Sequence, residues 1–160
     1  MKTIKGPAVY LAQFMDTKAP FNSLDGLCQW AADLGYKGIQ IPTWESALID
    51  LKKAGESKTY CDELKGKVES YGLAITELCT HLQGQLVAEH PAYDIMFDNF
   101  APDEYKGNPK ARTQWAIEQL KSAAKASRNF GLDVHGTFSG SLLWHTAHPW
   151  PQRPDGLVEL

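Results

Sequence analysis

One carboxylate and two imidazoles lie on or beside segments with the pattern of β-strands, where such groups could do chemistry. Glu77 lies inside residues 74–79, His81 follows this segment, and His135 lies inside residues 133–138. A glutamate can act as acid or base, and a histidine can carry a proton, bind a hydroxyl or ligate a metal ion. Glu77 is therefore a candidate catalytic residue and His81 a candidate metal ligand, although no further ligand lies at a confirming spacing.

Each of these residues also has a structural interpretation. Glu77 could pair with a lysine, His81 could bond a loop carbonyl, and His135 could be a buried, hydrogen-bonded histidine. The three cysteines, Cys28, Cys61 and Cys79, are predicted to be core fillers. The residue types alone leave these alternatives open.

Further polar and aromatic residues follow the predicted strands, where α/β folds build their binding sites. Aromatic rings beside polar groups suit the C–H face of a sugar, and the alternative is a hydrophobic cluster that holds the proline-rich tail. The predicted substrate-binding residues are Gln40, Trp44, His81, Gln83, His135, Trp144 and Trp150.

Three helix-to-strand junctions share one local pattern. Leu34-Gly35, Tyr71-Gly72 and Phe130-Gly131 each end a helical pattern, and a strand pattern follows at once. Glycine takes the left-handed conformation that ends a helix without a Cβ penalty. Repeated strand–helix–strand units predict a parallel sheet with right-handed crossovers.

The predicted elements cover the chain as one α/β domain over residues 1–160. Helices begin at Asn22-Ser23, near Thr59 and at Asn108-Pro109, and a short helix is expected around residues 93–100. The predicted strands span residues 8–14, 38–41, 74–79 and 133–138.

Side-chain alternation along these strands favours a barrel over an open sheet, because each strand places a polar residue on one face. That predicted lumen face comprises Leu11, Gln13, Gly38, Gln40, Ile75, Glu77, Cys79, His81, His135 and Thr137. The opposite face, which includes Tyr10 and Thr76, is predicted to pack under the helices. A register error of one residue would exchange the two faces.

The bulk composition excludes several classes of protein. The chain has 160 residues and a net charge of −3, so nothing electrostatic indicates binding to nucleic acid or an anionic membrane. The apolar stretch near the N-terminus is too short to cross a bilayer, and no signal-peptide cleavage site follows it. Three widely spaced cysteines indicate reduced thiols and a cytoplasmic location.

Three short motifs resemble one known family. Residues 34–41, Leu-Gly-Tyr-Lys-Gly-Ile-Gln-Ile, resemble the strand-2 signature of the xylose isomerase-like barrels, the sugar phosphate isomerase/epimerase superfamily. Thr80-His81 and Val134-His135-Gly136 resemble the ends of that family's strands 3 and 4. The resemblance implies the N-terminal half of a (β/α)8 TIM barrel with four parallel strands and intervening helices.

The resemblance also implies chemistry on a sugar or sugar phosphate. A divalent metal (Mn, Mg, Co or Zn) would polarise substrate oxygens while carboxylates move a proton of a ketose or polyol. Gln40 stands where the family usually has glutamate, and the family's metal ligands come mainly from strands 5 to 8. The isolated chain is therefore expected to bind no metal, to be inactive, and to need a missing C-terminal half or self-association.

Two other functions remain open from the sequence. A non-catalytic half-barrel could serve as a binding or assembly module, closing as a homo-oligomer. An endonuclease of the same barrel superfamily would need a basic groove, which the acidic net charge argues against.

Overall fold

A computed structural model describes residues 5–142, and for residues 91–94 it describes the backbone alone. The described residues form two compact units, one of residues 5–80 and 121–136 and one of residues 81–120 and 137–142. The prediction of a single domain over residues 1–160 remains a prediction. No helix among the described residues is long and apolar enough to cross a membrane.

The centre of the first unit is a four-stranded sheet with strand order β1-β2-β3-β4. Strand β1 pairs parallel to β2, and β2 pairs parallel to β3. The strands are β1 (Ala8–Tyr10), β2 (Gly38–Pro42), β3 (Ala74–Thr80) and β4 (His135–Thr137). The predicted α/β class, with four parallel strands alternating with helices, is confirmed.

Five α-helices connect or extend these strands among the described residues. They are α1 (Leu24–Asp33), α2 (Leu51–Glu56), α3 (Lys58–Ser70), α4 (His81–Gln85) and α5 (Pro109–Phe130). Short 3-10 segments cover Ala12–Phe14, Pro91–Phe100 and Asp103–Tyr105. Helix α5 contributes its first half to the second unit and its last half to the first unit.

The helix-ending glycines have the predicted conformation. Gly35, Gly72 and Gly131 have φ angles of 85°, 74° and 74°, in the left-handed region that glycine enters without steric penalty. Asn108 caps α5, because its side-chain oxygen accepts the N–H of Ala111 at 3.1 Å. These backbone signals therefore predicted the ends of the elements correctly.

Other boundaries differ from the prediction. Strand β1 ends at Tyr10, and the chain then turns through Ala12–Phe14, so Gln13 lies outside the sheet and is exposed. The helix predicted to begin near Thr59 begins at Lys58, and Ser57 caps it by accepting the Tyr60 N–H. Helices α2 and α4 were not predicted, since five or six residues carry too little periodicity to recognise.

The core of the first unit lies between one sheet face and the helices. Val9, Ile39, Ile41, Ile75 and Leu78 of the strands and Leu11, directly after β1, pack there with α1 residues. The α1 residues are Leu24, Leu27, Cys28 and Ala31. Leu11, Ile39 and Ile41 are fully buried. The helices of this unit thus bury the apolar face of the sheet and leave the opposite face for other residues.

The prediction of sheet faces was wrong for β1 and for the start of β3. Leu11 and Ile75 lie in the helix-side core, whereas Tyr10 pairs in register with Gln40 and shares its face. The cause in β3 is a bulge, since Ile39 pairs with Ile75 but the next residue, Gln40, pairs with Glu77. An extra residue resets the alternation of side chains, which the sequence pattern does not reveal.

The three cysteines are free thiols and all are buried. Burial, with a smaller effect of a nearby aspartate, raises the pKa of Cys28 and of Cys61 to about 11. Both thiols therefore stay protonated at neutral pH and behave as small apolar side chains. The predicted role as core fillers is confirmed for these two, whereas Cys79, also a buried free thiol, lies on the sheet face away from the helices.

The second unit has its own small core and a buried ion cluster. Leu86, Phe97 and Ala116 form the apolar part. Arg112 is fully buried, and its guanidinium donates to Glu89 at 2.7 Å and to Asp98. A buried arginine needs such partners, because an uncompensated charge in the interior is costly.

Candidate functional site

Four side chains gather on the sheet face opposite the helices, and we call them the polar-face cluster: Tyr10, Gln40, Glu77 and Cys79. The register explains why they meet, since Tyr10 pairs with Gln40, Gln40 with Glu77, and Pro42 with Cys79. Tyr10, Gln40 and Glu77 are half-buried. Three neighbouring strands thereby present a phenol, an amide and a carboxylate side by side.

Gln40 and Glu77 form the centre of the cluster. The Gln40 side-chain N–H donates to Glu77 Oε1 at 2.5 Å. The Gln40 carbonyl oxygen is buried and makes no hydrogen bond within residues 5–142. The pair therefore offers a half-buried carboxylate and a buried acceptor, both of which suit a ligand that donates hydroxyl protons.

Tyr10 is the residue of this cluster that the sequence pattern placed on the wrong face. Burial raises the pKa of its phenol well above the ordinary value, and the charge of the neighbouring Cys79 and a hydrogen bond to it raise it further. Tyr10 therefore remains a protonated donor throughout the physiological pH range. Its pairing with Gln40 could be found only from the strand register.

Gly38 lies two residues before Gln40, where the space for a side chain is limited. A Cβ on Gly38 would lie 2.5 Å from Thr76 Cγ2 and 3.3 Å from Ala8 Cβ, so a larger residue would require Thr76 to move. Thr76, the residue added by the bulge, donates its hydroxyl to the Ile39 carbonyl at 3.0 Å. The bulge thus turns Glu77 toward Gln40 while a local hydrogen bond holds the extra residue.

The predicted lumen position of His135 was wrong. Its Nδ1 lies 3.0 Å from the Ser127 hydroxyl of α5, and its Nε2 lies 2.9 Å from the Thr80 hydroxyl. The ring therefore lies between the sheet and α5, on the side of the helices. The structural alternative, a hydrogen-bonded histidine beneath a helix, describes these contacts.

A surface cleft of about 380 Å³ lies beside His135. Its walls come from the end of α5 and from the segment that leads into β4. The cleft is lined by Ala124, Ser127, Arg128, Gly131, Leu132, Asp133, Val134 and His135. It is separate from the polar-face cluster, since none of that cluster's residues lines it.

The remaining predicted binding residues lie elsewhere. Trp44 is half-buried in the turn after β2. In the second unit His81 begins α4 and stacks on Phe138, with 4.6 Å between ring centroids, and Gln83 is buried. Trp144 and Trp150 lie outside the described residues. A binding role for each of these residues remains a prediction.

A metal ion does not fit the described residues alone. Within residues 5–142, no group of three or more His, Cys, Asp and Glu side chains converges as a metal site. Glu77 is the one carboxylate of the polar-face cluster, and a typical metal centre needs more protein ligands than that. We therefore derive no chemical step through a metal from these residues.

A comparison with protein families identifies one match. The sequence model described as the xylose isomerase-like TIM barrel matches residues 28–159. The match begins within α1 and includes β2, β3 and β4. No curated protein shows significant similarity to the chain.

Proposed function

The chain belongs to the xylose isomerase-like TIM barrel family. We therefore propose that it is part of a sugar isomerase or epimerase. The substrate is a ketose or polyol-like compound, free or phosphorylated. The observation that carries this proposal is the polar-face cluster, in which Glu77, Gln40 and Tyr10 share the sheet face away from the helices. In a (β/α)8 barrel that face lines the interior, which leads to the active-site mouth.

The cluster has the groups that a polyhydroxylated ligand requires. Glu77 can accept a hydroxyl proton and the Gln40 oxygen can accept another. The Tyr10 phenol lies beside them on the same face. Isomerisation also needs a group that moves a proton, and a carboxylate can fill that role. Glu77 is the candidate for both tasks on this part of the barrel.

The rest of the chemistry is assigned to groups outside the described residues. We expect a divalent metal (Mn, Mg, Co or Zn) in the full-length form, where it would polarise the carbonyl and hydroxyl oxygens of the substrate. The isolated 160-residue chain is expected to be inactive. The free cysteines suit a reducing compartment, and the proposed location is the cytoplasm.

Calorimetric titration of the chain with fructose, xylitol and a ketose phosphate tests the binding site. We expect at least one of them to bind the wild type, and the Glu77→Gln variant to bind it about ten- to a hundredfold more weakly, since a hydrogen bond to a charged group is lost. Glu69→Gln is the matched control, because it makes the same charge change at an exposed position of α3. Equal weakening by both variants would contradict the assignment to Glu77.

Solvent exchange tests the proposed reaction class. A ketose incubated with the chain in D2O and Mn²⁺ would gain deuterium beside its carbonyl if the protein abstracted that proton. The proposal predicts no exchange above background with the isolated chain and exchange with a full-length protein that contains it. A full-length protein that converts the ketose without exchange would contradict the proposed proton transfer.

The sheet edges favour one alternative, a non-catalytic assembly module. Among the described residues β1 and β4 are the outer strands of the sheet, and Val134 beside β4 is 49% exposed. Open edges and exposed apolar residues are typical of surfaces that associate. Light scattering after size-exclusion chromatography tests this: a stable dimer that binds no sugar would favour the module over the enzyme.

A further inference from the structure

The two ends of the Gln40 side-chain amide have different environments. Its N–H donates to Glu77 Oε1 at 2.5 Å, whereas its carbonyl oxygen is buried and unbonded within residues 5–142. A buried acceptor without a donor is costly, so such a group usually receives a hydrogen bond in the working protein. Its neighbours on the sheet face are the cluster residues Tyr10 and Glu77.

We propose that Gln40 is a positioning residue, which orients the Glu77 carboxylate through its N–H and accepts a ligand hydroxyl at its carbonyl oxygen. This inference rests on the proposed function and makes it more specific. The ligand would then carry one hydroxyl that donates to Gln40 and, next to it, a second group that contacts Glu77. The ligand is thus recognised by two adjacent acceptors, which suits neighbouring hydroxyls on a ketose or polyol.

The amide is better suited to this role than a carboxylate. A glutamate at position 40 would place two carboxyl groups within a hydrogen-bond distance, where both cannot stay ionised and one proton is shared. Glutamine instead donates a hydrogen bond to Glu77, so position 40 places no second carboxylate beside it. The amide then leaves the second oxygen of Glu77 available to a ligand.

A purely structural role would be a cross-strand pair that only stabilises β2 against β3. The two roles differ in how Gln40 and Glu77 are coupled in ligand binding. If Gln40 orients the carboxylate, removing its donor weakens binding less once Glu77 has been replaced. A pair that only stabilises the sheet changes the resistance to unfolding and shows no such coupling.

A double-mutant cycle in xylitol binding, measured by calorimetry, separates these roles. We expect the Gln40→Met variant, which keeps the side-chain length without a donor, to bind xylitol about tenfold more weakly. In a chain that already carries Glu77→Gln, the same change should cost less than about threefold. Gln29→Met is the matched control, since Gln29 donates to Asp33 at 2.8 Å on the exposed surface of α1.

The positioning role is overturned if Gln40→Met weakens xylitol binding by the same factor with and without Glu77→Gln. The ligand contact is tested with xylitol, which should shift the Gln40 amide resonances of the wild type and bind Gln40→Met about tenfold more weakly. Xylitol binding that leaves those resonances unmoved overturns the hydroxyl contact. Failure of every sugar and polyol to bind overturns the proposed function together with this inference, whereas binding without the coupling overturns the inference alone.

Discussion

Arg112 shows at the scale of one residue how the second unit depends on a charge. Its side chain is fully inaccessible, and the Glu89 and Asp98 carboxylates accept its N–H groups. Glu89 also lies 3.5 Å from the Thr113 hydroxyl, which donates to the Leu86 carbonyl at 3.0 Å. The arginine therefore connects the first turn of α5 to the segment after α4.

We predict that Arg112→Met destabilises the chain by about 3–5 kcal/mol, because two carboxylates lose their buried cation. Urea unfolding followed by circular dichroism measures this loss. Arg128→Met, at an exposed position of the same helix, should change stability by less than about 0.5 kcal/mol. Equal effects of the two variants would mean that the ion cluster contributes nothing specific.

A second residue-scale prediction concerns Asp25, which lies 2.9 Å from Lys67 Nζ and 3.0 Å from the Tyr71 hydroxyl. The hydrogen bond from Lys67, with that from Tyr71, lowers the pKa of this carboxyl. A lowered folded-state pKa gives stability that is present at neutral pH and lost as the pH falls through that pKa. Since the pair is half-exposed, the contribution is a few tenths of a kcal/mol.

Asp25→Asn should therefore be slightly less stable than the wild type at neutral pH and equally stable in acid, where the carboxyl is protonated. Urea unfolding at both pH values measures the difference. Asp133→Asn, an exposed aspartate at the surface cleft, serves as the control. A deficit that persists unchanged in acid would contradict the role of the charge.

The sequence predicted the candidate site only in part at this scale. Gln40 and Glu77 share a face as expected, because alternation holds in β2 and in β3 after the bulge. Tyr10 and His135 were placed on the wrong faces. Their positions depend on strand register and on the hydrogen bonds to α5, which are long-range features that no local pattern contains.

At the scale of elements, the helix-ending glycines were predictable because their signal is local. Gly72 has φ 74°, and a Cβ added to it would meet no atom within 4 Å, so only its backbone conformation requires glycine. Gly66 lies inside α3 with equally open space. The two positions differ in backbone conformation alone and form a matched pair.

We predict opposite effects of the same substitution at these two glycines. Gly72→Ala should destabilise the chain by about 1–2 kcal/mol, because alanine pays a steric cost in the left-handed region. Gly66→Ala should stabilise it by about 0.5–1 kcal/mol through helix propensity. Urea midpoints measure both, and a shift of the same sign would contradict the conformational explanation.

At the scale of the whole molecule, repeated strand–helix–strand units predicted the parallel sheet and its class. The family match over residues 28–159 agrees with that prediction. The bulge at Thr76 could not be predicted, because the sequence of β3 alternates plausibly in either register. One inserted residue therefore decided which side chains of β3 face away from the helices.

We propose that the polar-face cluster, and not the cleft beside α5, binds the sugar-like ligand. The most direct test is an NMR map of amide and side-chain shifts during titration with fructose or xylitol. We predict that the shifts concentrate at Tyr10, Gln40 and Glu77. Shifts confined to Ser127, His135 and the other cleft residues, or no shift with any sugar or polyol, would contradict it.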